Sequence, residues 1–195
     1  EGHIAYIDFN KYRYHNIDVE GTFHKKLFNG DTEINDPNWG LVFKRNVDLN
    51  SSLPSFQFNA KIQGADLRAL KFVKDSLIVD AQLSTNFSGS NINNIQGEFL
   101  LDKIRLENPG GIYNVDSVQL VAKGTDINRS LIIYSDVLDA NIVGQYDLNT
   151  IASYYKAIAK TYIPSLDTEV FKYNPQIFNV NIKIKNFNPI AQFFA

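Results

Sequence analysis

The sequence predicts an all-β fold, mainly antiparallel, with a single amphipathic helix. Three observations carry that prediction. Apolar and polar residues alternate with period two along most of the chain, the signature of half-buried strands of roughly 5 or 6 residues. Turn signals separate these runs at short intervals, at Asn35-Asp36-Pro37-Asn38, Ser88-Gly89-Ser90-Asn91, Asn108-Pro109-Gly110-Gly111 and Lys123-Gly124-Thr125-Asp126. Such close spacing favours a meander, because parallel pairs need long crossovers. Only one segment has helical periodicity. With 195 residues and 44% hydrophobic content, the chain suffices for one substantial core or two small ones.

The clearest strand starts at 56, where Phe56, Phe58, Ala60 and Ile62 share one face and Gln57, Asn59, Lys61 and Gln63 the other, until Gly64 breaks the run. A short helical turn over 66–72, with Leu67, Leu70 and the stem of Lys71, is placed to close that strand's end. Leu77, Val79, Ala81 and Leu83 form the next apolar face. Ile95, Gly97, Phe99 and Leu101 follow, then Val118, Leu120 and Ala122, then Leu131 and Ile133, then Ala140, Ile142, Gly144 and Tyr146. Over 150–163 the apolar residues Ile151, Tyr154, Tyr155, Ile158 and Tyr162 recur at helical steps, with Asn149 or Thr150 to cap the start and Pro164 after the end. That helix would lay one stripe on the sheet.

Two internal similarities stand out. An aliphatic-x-Gly-x-aromatic pattern occurs at Val19 to Phe23, Ile95 to Phe99 and Ile142 to Tyr146. The strand at 56 returns as FNVNIKIKNFNPIA, with Phe178, Val180, Ile182 and Ile184 in the places of Phe56, Phe58, Ala60 and Ile62, an offset of 122 residues. The implied organisation is a β-rich domain over 1–175 and, over 176–195, the start of a following unit of a stacked array.

Composition narrows function by exclusion. Nineteen basic and 21 acidic residues give a net charge of −2, with no electrostatic reason to expect nucleic acid; Lys and Arg read as solvated strand faces. The absence of Cys removes disulfides and thiol chemistry, and the absence of Met leads us to expect an excised fragment, with any leader or anchor outside it. His3, His15 and His24 have no matched acidic partner in the sequence, and nucleotide-binding and nucleophile-elbow motifs are missing, so no catalytic residue, metal ligand or cofactor is assigned. Asp31-Thr32-Glu33-Ile34-Asn35-Asp36 lacks the Gly and Glu of a calcium loop and reads as a turn. Asp75-Ser76-Leu77 and Asp116-Ser117-Val118 read as turn-to-strand punctuation. Both also resemble the O-glycosylation acceptor of envelope proteins in the Bacteroidota, which implies Ser76 and Ser117 as candidate sugar sites.

From residue 12 to the end, the succession resembles the repetitive β-region of the TamB proteins of the Bacteroidota, within the wider AsmA-like group. The distinctive pieces are F-x-A-x-I-x-G-A-D-L at Phe58 to Leu67, N-F-x-G-x-N-I at Asn86 to Ile92, and G-Q-Y-D-L followed by a short amphipathic helix. The resemblance implies an elongated, curved sheet of β-taco type with an apolar concave face. It further implies a place in the periplasm, bridging the inner and outer membranes of a diderm bacterium. The associated roles are phospholipid transport and outer-membrane protein assembly with an outer-membrane barrel of the Omp85 class, engaged through parts outside this chain.

One physical point agrees with that picture: nearly every strand has an apolar face, yet the sequence offers one helix to cover them. Either a curved sheet leaves a groove for phospholipid acyl chains, or two sheets close into a sandwich. In the first case Phe56, Phe58, Ala60, Ile62, Leu77, Val79, Leu83, Ile95, Phe99, Leu101, Val118, Leu120, Leu131, Ile133 and Ile142 line the groove, without catalysis. In the second the chain is an adhesion or carbohydrate-binding module that contacts its partner through Trp39 and loop tyrosines.

Overall fold

A computed structural model describes residues 1–150 and 176–186. The helix expected over 150–163 falls almost wholly outside the described residues. Eleven strands form a single open antiparallel sheet, paired in sequence order. They are β1 (Gly2–Phe9), β2 (Tyr12–His24), β3 (Leu27–Asp36), β4 (Trp39–Asp48), β5 (Ser55–Asp66), β6 (Ile78–Ser88), β7 (Gln96–Asn108), β8 (Gly111–Lys123), β9 (Arg129–Ser135), β10 (Leu138–Gln145) and β11 (Ile177–Ile184). The predicted all-β, antiparallel class is therefore observed, as one open layer consistent with the β-taco type. The sandwich alternative is overturned, since the described residues contain no second sheet. β11, read from sequence as the opening of another unit, pairs with β10 in this same sheet.

Several strands run to 12 or 13 residues, about twice the length expected. They stay paired over that length because irregularities absorb mismatches in twist. The β5–β6 register shifts between Ile62 and Ala65, where Gly64 donates its N–H to Asp80 at 2.7 Å, and the β6–β7 register shifts opposite Lys103, whose φ is +50°. The first two hairpins turn on Asn10-Lys11 and Lys25-Lys26, all four residues with positive φ, as tight hairpin turns require.

Residues opposite one another in an antiparallel pair share a face, so register converts the strands into rows. One row runs from β2 to β11 as Phe23, Phe28, Val47, Phe56, Phe87, Gly97, Ala122, Leu131, Ile142 and Val180. No polar side chain interrupts it. One residue along each strand, on the other face, the corresponding row is Thr22, Asn29, Asn46, Gln57, Asn86, Glu98, Val121, Ile132, Asn141 and Asn181, polar except at two positions. Thus the sheet has one apolar and one polar face across ten strands.

Gly97 and Gly144 explain two of the three occurrences of the aliphatic-x-Gly-x-aromatic pattern, whereas Gly21 stands opposite Gly30. Gly97 and Gly144 each stand directly opposite an aromatic residue, Phe87 and Phe178 respectively, with φ of +144° and +132°. A Cβ on Gly97 would lie 2.2 Å from the Asn86 carbonyl oxygen, and one on Gly144 would lie 2.4 Å from that of Ile177. The aromatic two residues after each glycine then meets the opposite ring: Phe99 stacks on Phe87 at 5.0 Å, and Tyr146 meets Phe178 edge-on at 6.3 Å. Cross-strand ring contacts of this kind add about 0.5–1.5 kcal/mol each beyond burial.

Candidate functional site

The candidate site is the apolar face, and its residues fall into a middle and two ends. In the middle, aromatic rings from four adjacent strands touch in series: Phe43 to Phe58 at 5.5 Å, Phe58 to Phe56 at 6.0 Å, Phe56 to Phe87 at 4.9 Å and Phe87 to Phe99 at 5.0 Å. These rings fill the face laterally, and among the described residues no second sheet packs over them. Of the residues expected to line a groove, Phe56, Leu131 and Ile142 stand in the row already traced. Phe58, Phe99, Leu120 and Ile133 stand in the next row, and Ala60, Leu83, Leu101 and Val118 in the one after. None is fully buried: Leu101 is exposed and the others are half-buried.

The first end lies where β5 finishes and β6 begins. Asp66 accepts backbone N–H bonds from Arg68 and Ala69 on its side chain and from Leu70 on its carbonyl, each at 3.0 Å, winding 66–72 into a tight turn. That turn presses Leu70, 2% exposed, into a cluster with Tyr14, Ile17 and Ala65. Ile62 and Val79 pack against the cluster, so they sit beneath a cap rather than on the open face. Leu77 precedes β6, its carbonyl holding the Leu67 N–H at 2.9 Å.

Below the same cap, buried Asp36 gathers the Tyr12 hydroxyl and the backbone N–H groups of His15 and Asn38. The oxygen-rich 31–36 segment, read from the sequence as a turn, is instead the second half of strand β3, and the turn follows at Pro37-Asn38. Burial raises the pKa of Tyr12, with Asp36 adding to the shift, and burial also raises that of Tyr14. Trp39 meets Tyr14 edge-on at 5.9 Å, with its indole Nε1 buried. It is a half-buried packing residue of this end.

The second end, at the start of β7 and β9, is built differently. Residues of the 91–95 loop, together with Tyr146 and Leu148, stand over the β7–β10 face and enclose a cavity of about 300 Å³. Its apolar wall includes Ile95, Phe99, Leu120 and Leu131, four of the residues expected from sequence. A hydrogen-bonded clamp holds the loop: Asn93 donates its amide to Asp147 at 2.8 Å and accepts the Leu148 N–H at 2.9 Å. The Asn93 contact, foremost, lowers the Asp147 pKa.

Two cations on this face were not anticipated. Arg45, opposite Phe58, lies over the Phe28 and Phe43 rings and donates to the Thr32 hydroxyl at 2.7 Å. Arg129, 8% exposed, lines the cavity with its guanidinium 4.3 Å from the Tyr146 ring centre. The reading of basic residues as solvated strand faces is therefore corrected at both positions. The signal was in the alternation itself, since Arg45 is in phase with Phe43 and Val47, and Arg129 with Leu131 and Ile133.

Other sequence candidates resolve plainly. His3 has an acidic partner after all, Asp18 at 2.7 Å, because the β1–β2 register places them opposite each other; the pair is solvent-exposed. No group of three or more His, Asp or Glu able to hold a metal occurs among the described residues. Ser76 precedes β6 as expected, whereas Asp116 and Ser117 lie inside β8 rather than at its start; both serines are half-buried. No family model, no curated protein and no solved structure matches this chain.

Proposed function

We propose that this chain is a TamB-like segment of a bridge across the periplasm, which carries phospholipid between the inner and outer membranes of a diderm bacterium. The observation that supports it best is the ten-residue apolar row from Phe23 to Val180, unbroken across ten strands and not covered by a second layer among the described residues. A single isolated strand face would be ordinary core; a row of this length in one open sheet leaves apolar surface that water solvates poorly. Each methylene of an acyl chain laid on it is worth about 0.8 kcal/mol. Many such weak contacts hold a chain without fixing it at any point, so lipid can slide along the face. Transfer by this route breaks no covalent bond and asks for no catalytic residue or cofactor. Support of outer-membrane protein assembly, with an Omp85-class barrel as partner through regions outside this chain, belongs to the same proposal, as does sugar attachment at Ser76 or Ser117.

The test is lipid photo-crosslinking in diderm cells, with native mass spectrometry of the purified chain for co-purified phospholipid. Leu120→Asp places a charge on the β8 part of the face, in the wall of the cavity, and should abolish crosslinking from Phe56, whereas Gln119→Asp, one residue away on the polar face, should leave it unchanged. Retention of crosslinking in a folded Leu120→Asp variant sinks the proposal. Ile62 is unsuitable for the same test because it packs against the Leu70 cluster, where a charge would unfold the cap.

A further inference from the structure

The apolar face accounts for lipid sliding but not for a buried cation at one end of it. Arg129 has lost nearly all its solvent, and among the described residues no carboxylate stands within ion-pair distance of it. One guanidinium nitrogen donates to the Asn93 backbone carbonyl and, at 3.4 Å, to the Asn93 side-chain oxygen; its Nε is buried without a partner. The neighbouring acid, Asp147, is occupied by the Asn93 amide at 2.8 Å and the Asn149 N–H at 2.9 Å. A buried charge so thinly compensated is costly and is retained where an anion completes it. Beside it, the cavity of about 300 Å³ is walled by Ile92, Phe99, Leu120 and Leu148, carries Lys123 as its second cation, and includes no acidic residue. On a chain of net charge −2, that local excess of positive charge at an apolar cavity is a recognition feature.

We propose that this cavity seats a single phospholipid, with the upper part of one acyl chain inside and the phosphodiester against Arg129 and Lys123. The inference rests on the lipid-carrying role above and adds a fixed station to a face on which chains otherwise slide. A volume near 300 Å³ is at the small end of ligand sites, which suits part of one chain and excludes a whole diacyl lipid. The planar guanidinium fork matches phosphate oxygens and gives up its hydration more readily than an ammonium does. Arg129 therefore carries the larger share of recognition and the solvent-exposed Lys123 the smaller.

The experiment places a photoreactive amino acid either at Leu148, in the cavity wall, or at Phe56, in the middle of the face. The chain is then presented with dioleoylphosphatidylglycerol, dioleoylglycerol or oleic acid. At Leu148 the phospholipid should crosslink about tenfold more than dioleoylglycerol and well above oleic acid, the size expected for one or two charge-assisted hydrogen bonds. At Phe56 the lipids should differ little. Arg129→Gln should lower phospholipid crosslinking at Leu148 about tenfold and Lys123→Gln by a smaller factor, both leaving Phe56 unchanged. Equal capture of phospholipid and dioleoylglycerol at Leu148, equal capture of oleic acid there, or indifference to both substitutions overturns the station. Absence of lipid at Phe56 as well as at Leu148 counts against the carrying role itself.

Discussion

The apolar face is closed at its two ends by opposite means. At the β2–β6 end, the 66–72 turn drives Leu70 into contact with Tyr14, Ile17 and Ala65, and side chains fill the space. At the β7–β10 end, the loop over the face is held by polar contacts, Asn93 to Asp147 and Arg129 to Asn93, and a cavity of about 300 Å³ is left beneath it. The same strand alternation feeds both ends. What differs is whether a connecting segment delivers a large apolar side chain to the face or holds itself above it by hydrogen bonds. The filled end therefore carries stability, and the hollow end carries room for a ligand.

The largest effect expected from this contrast is at the filled end. Leu70→Ala should cost about 2–5 kcal/mol of unfolding free energy, the range for emptying a packed leucine site. Leu148→Ala, in the wall of the cavity, should cost about 1 kcal/mol, since the residue is only half-buried and much of its surface already faces empty space. Denaturant unfolding of the two variants measures the difference. Equal losses would mean that the two ends are packed alike.

Enlarging rather than truncating reverses the roles. Ala65, 3% exposed inside the filled cluster, has no space beside it, so Ala65→Leu should destabilise by about 1–3 kcal/mol through overpacking. Ala122 lines the cavity, and Ala122→Leu should change stability by about 0.5 kcal/mol or less while occupying the volume proposed for lipid. Thermal melts paired with phospholipid crosslinking from Leu148 read both consequences. A destabilised Ala122→Leu variant that still crosslinks fully would erase the distinction.

How much of this was legible in the sequence differs between the ends for a physical reason. The alternation of Phe56 through Ile62 and of Phe99 and Leu101 identified the face directly, because period two maps one-to-one onto the two sides of a sheet. Leu70 was also within reach, as the apolar residue of a turn following a strand break. The first three strands were obscure because lysines take part in both of their hairpin turns: Lys25-Lys26 adopts the left-handed conformation that Asn-Gly would have announced. Asp116 and Ser117 misled because β8 continues through them. The hollow end was hidden by its own chemistry. A cavity is a matter of where the 91–95 loop stands relative to β9, and Arg129 shows itself only when a charged residue is counted in phase with Leu131 and Ile133 instead of being assigned to solvent by type.

The smallest expected effect concerns acid, and it separates the ends by what holds each loop. At the hollow end, Asp147 is held below the ordinary carboxylate pKa, first by the Asn93 side chain and then by the contacts of Asn149, with the Arg129 charge adding to them. Because the folded-state value lies below the unfolded one, the unfolded chain takes up the proton first as pH falls. The stabilisation from Asp147 is thus complete above the unfolded value, about pH 4, and is lost as pH drops through the folded one. Protonated Asp147 is a poor acceptor for Asn93 and Asn149, so the amides of Leu148 and Asn149 should exchange faster below about pH 4 once corrected for intrinsic rate. At the other end the Leu70 N–H donates to the Asp66 backbone carbonyl, which takes up no proton, and the Leu70 side chain is fixed by apolar packing, so its amide should keep its protection through the same range even where the Asp66 carboxylate loosens its hold on Arg68 and Ala69. Asn93→Ala removes the largest cause of the Asp147 shift and should flatten the pH dependence at Leu148. Hydrogen exchange that loosens Leu70 and Leu148 together would show that the polar clamp and the apolar cap open as one unit, and the cavity could then not admit lipid without unfolding the filled end.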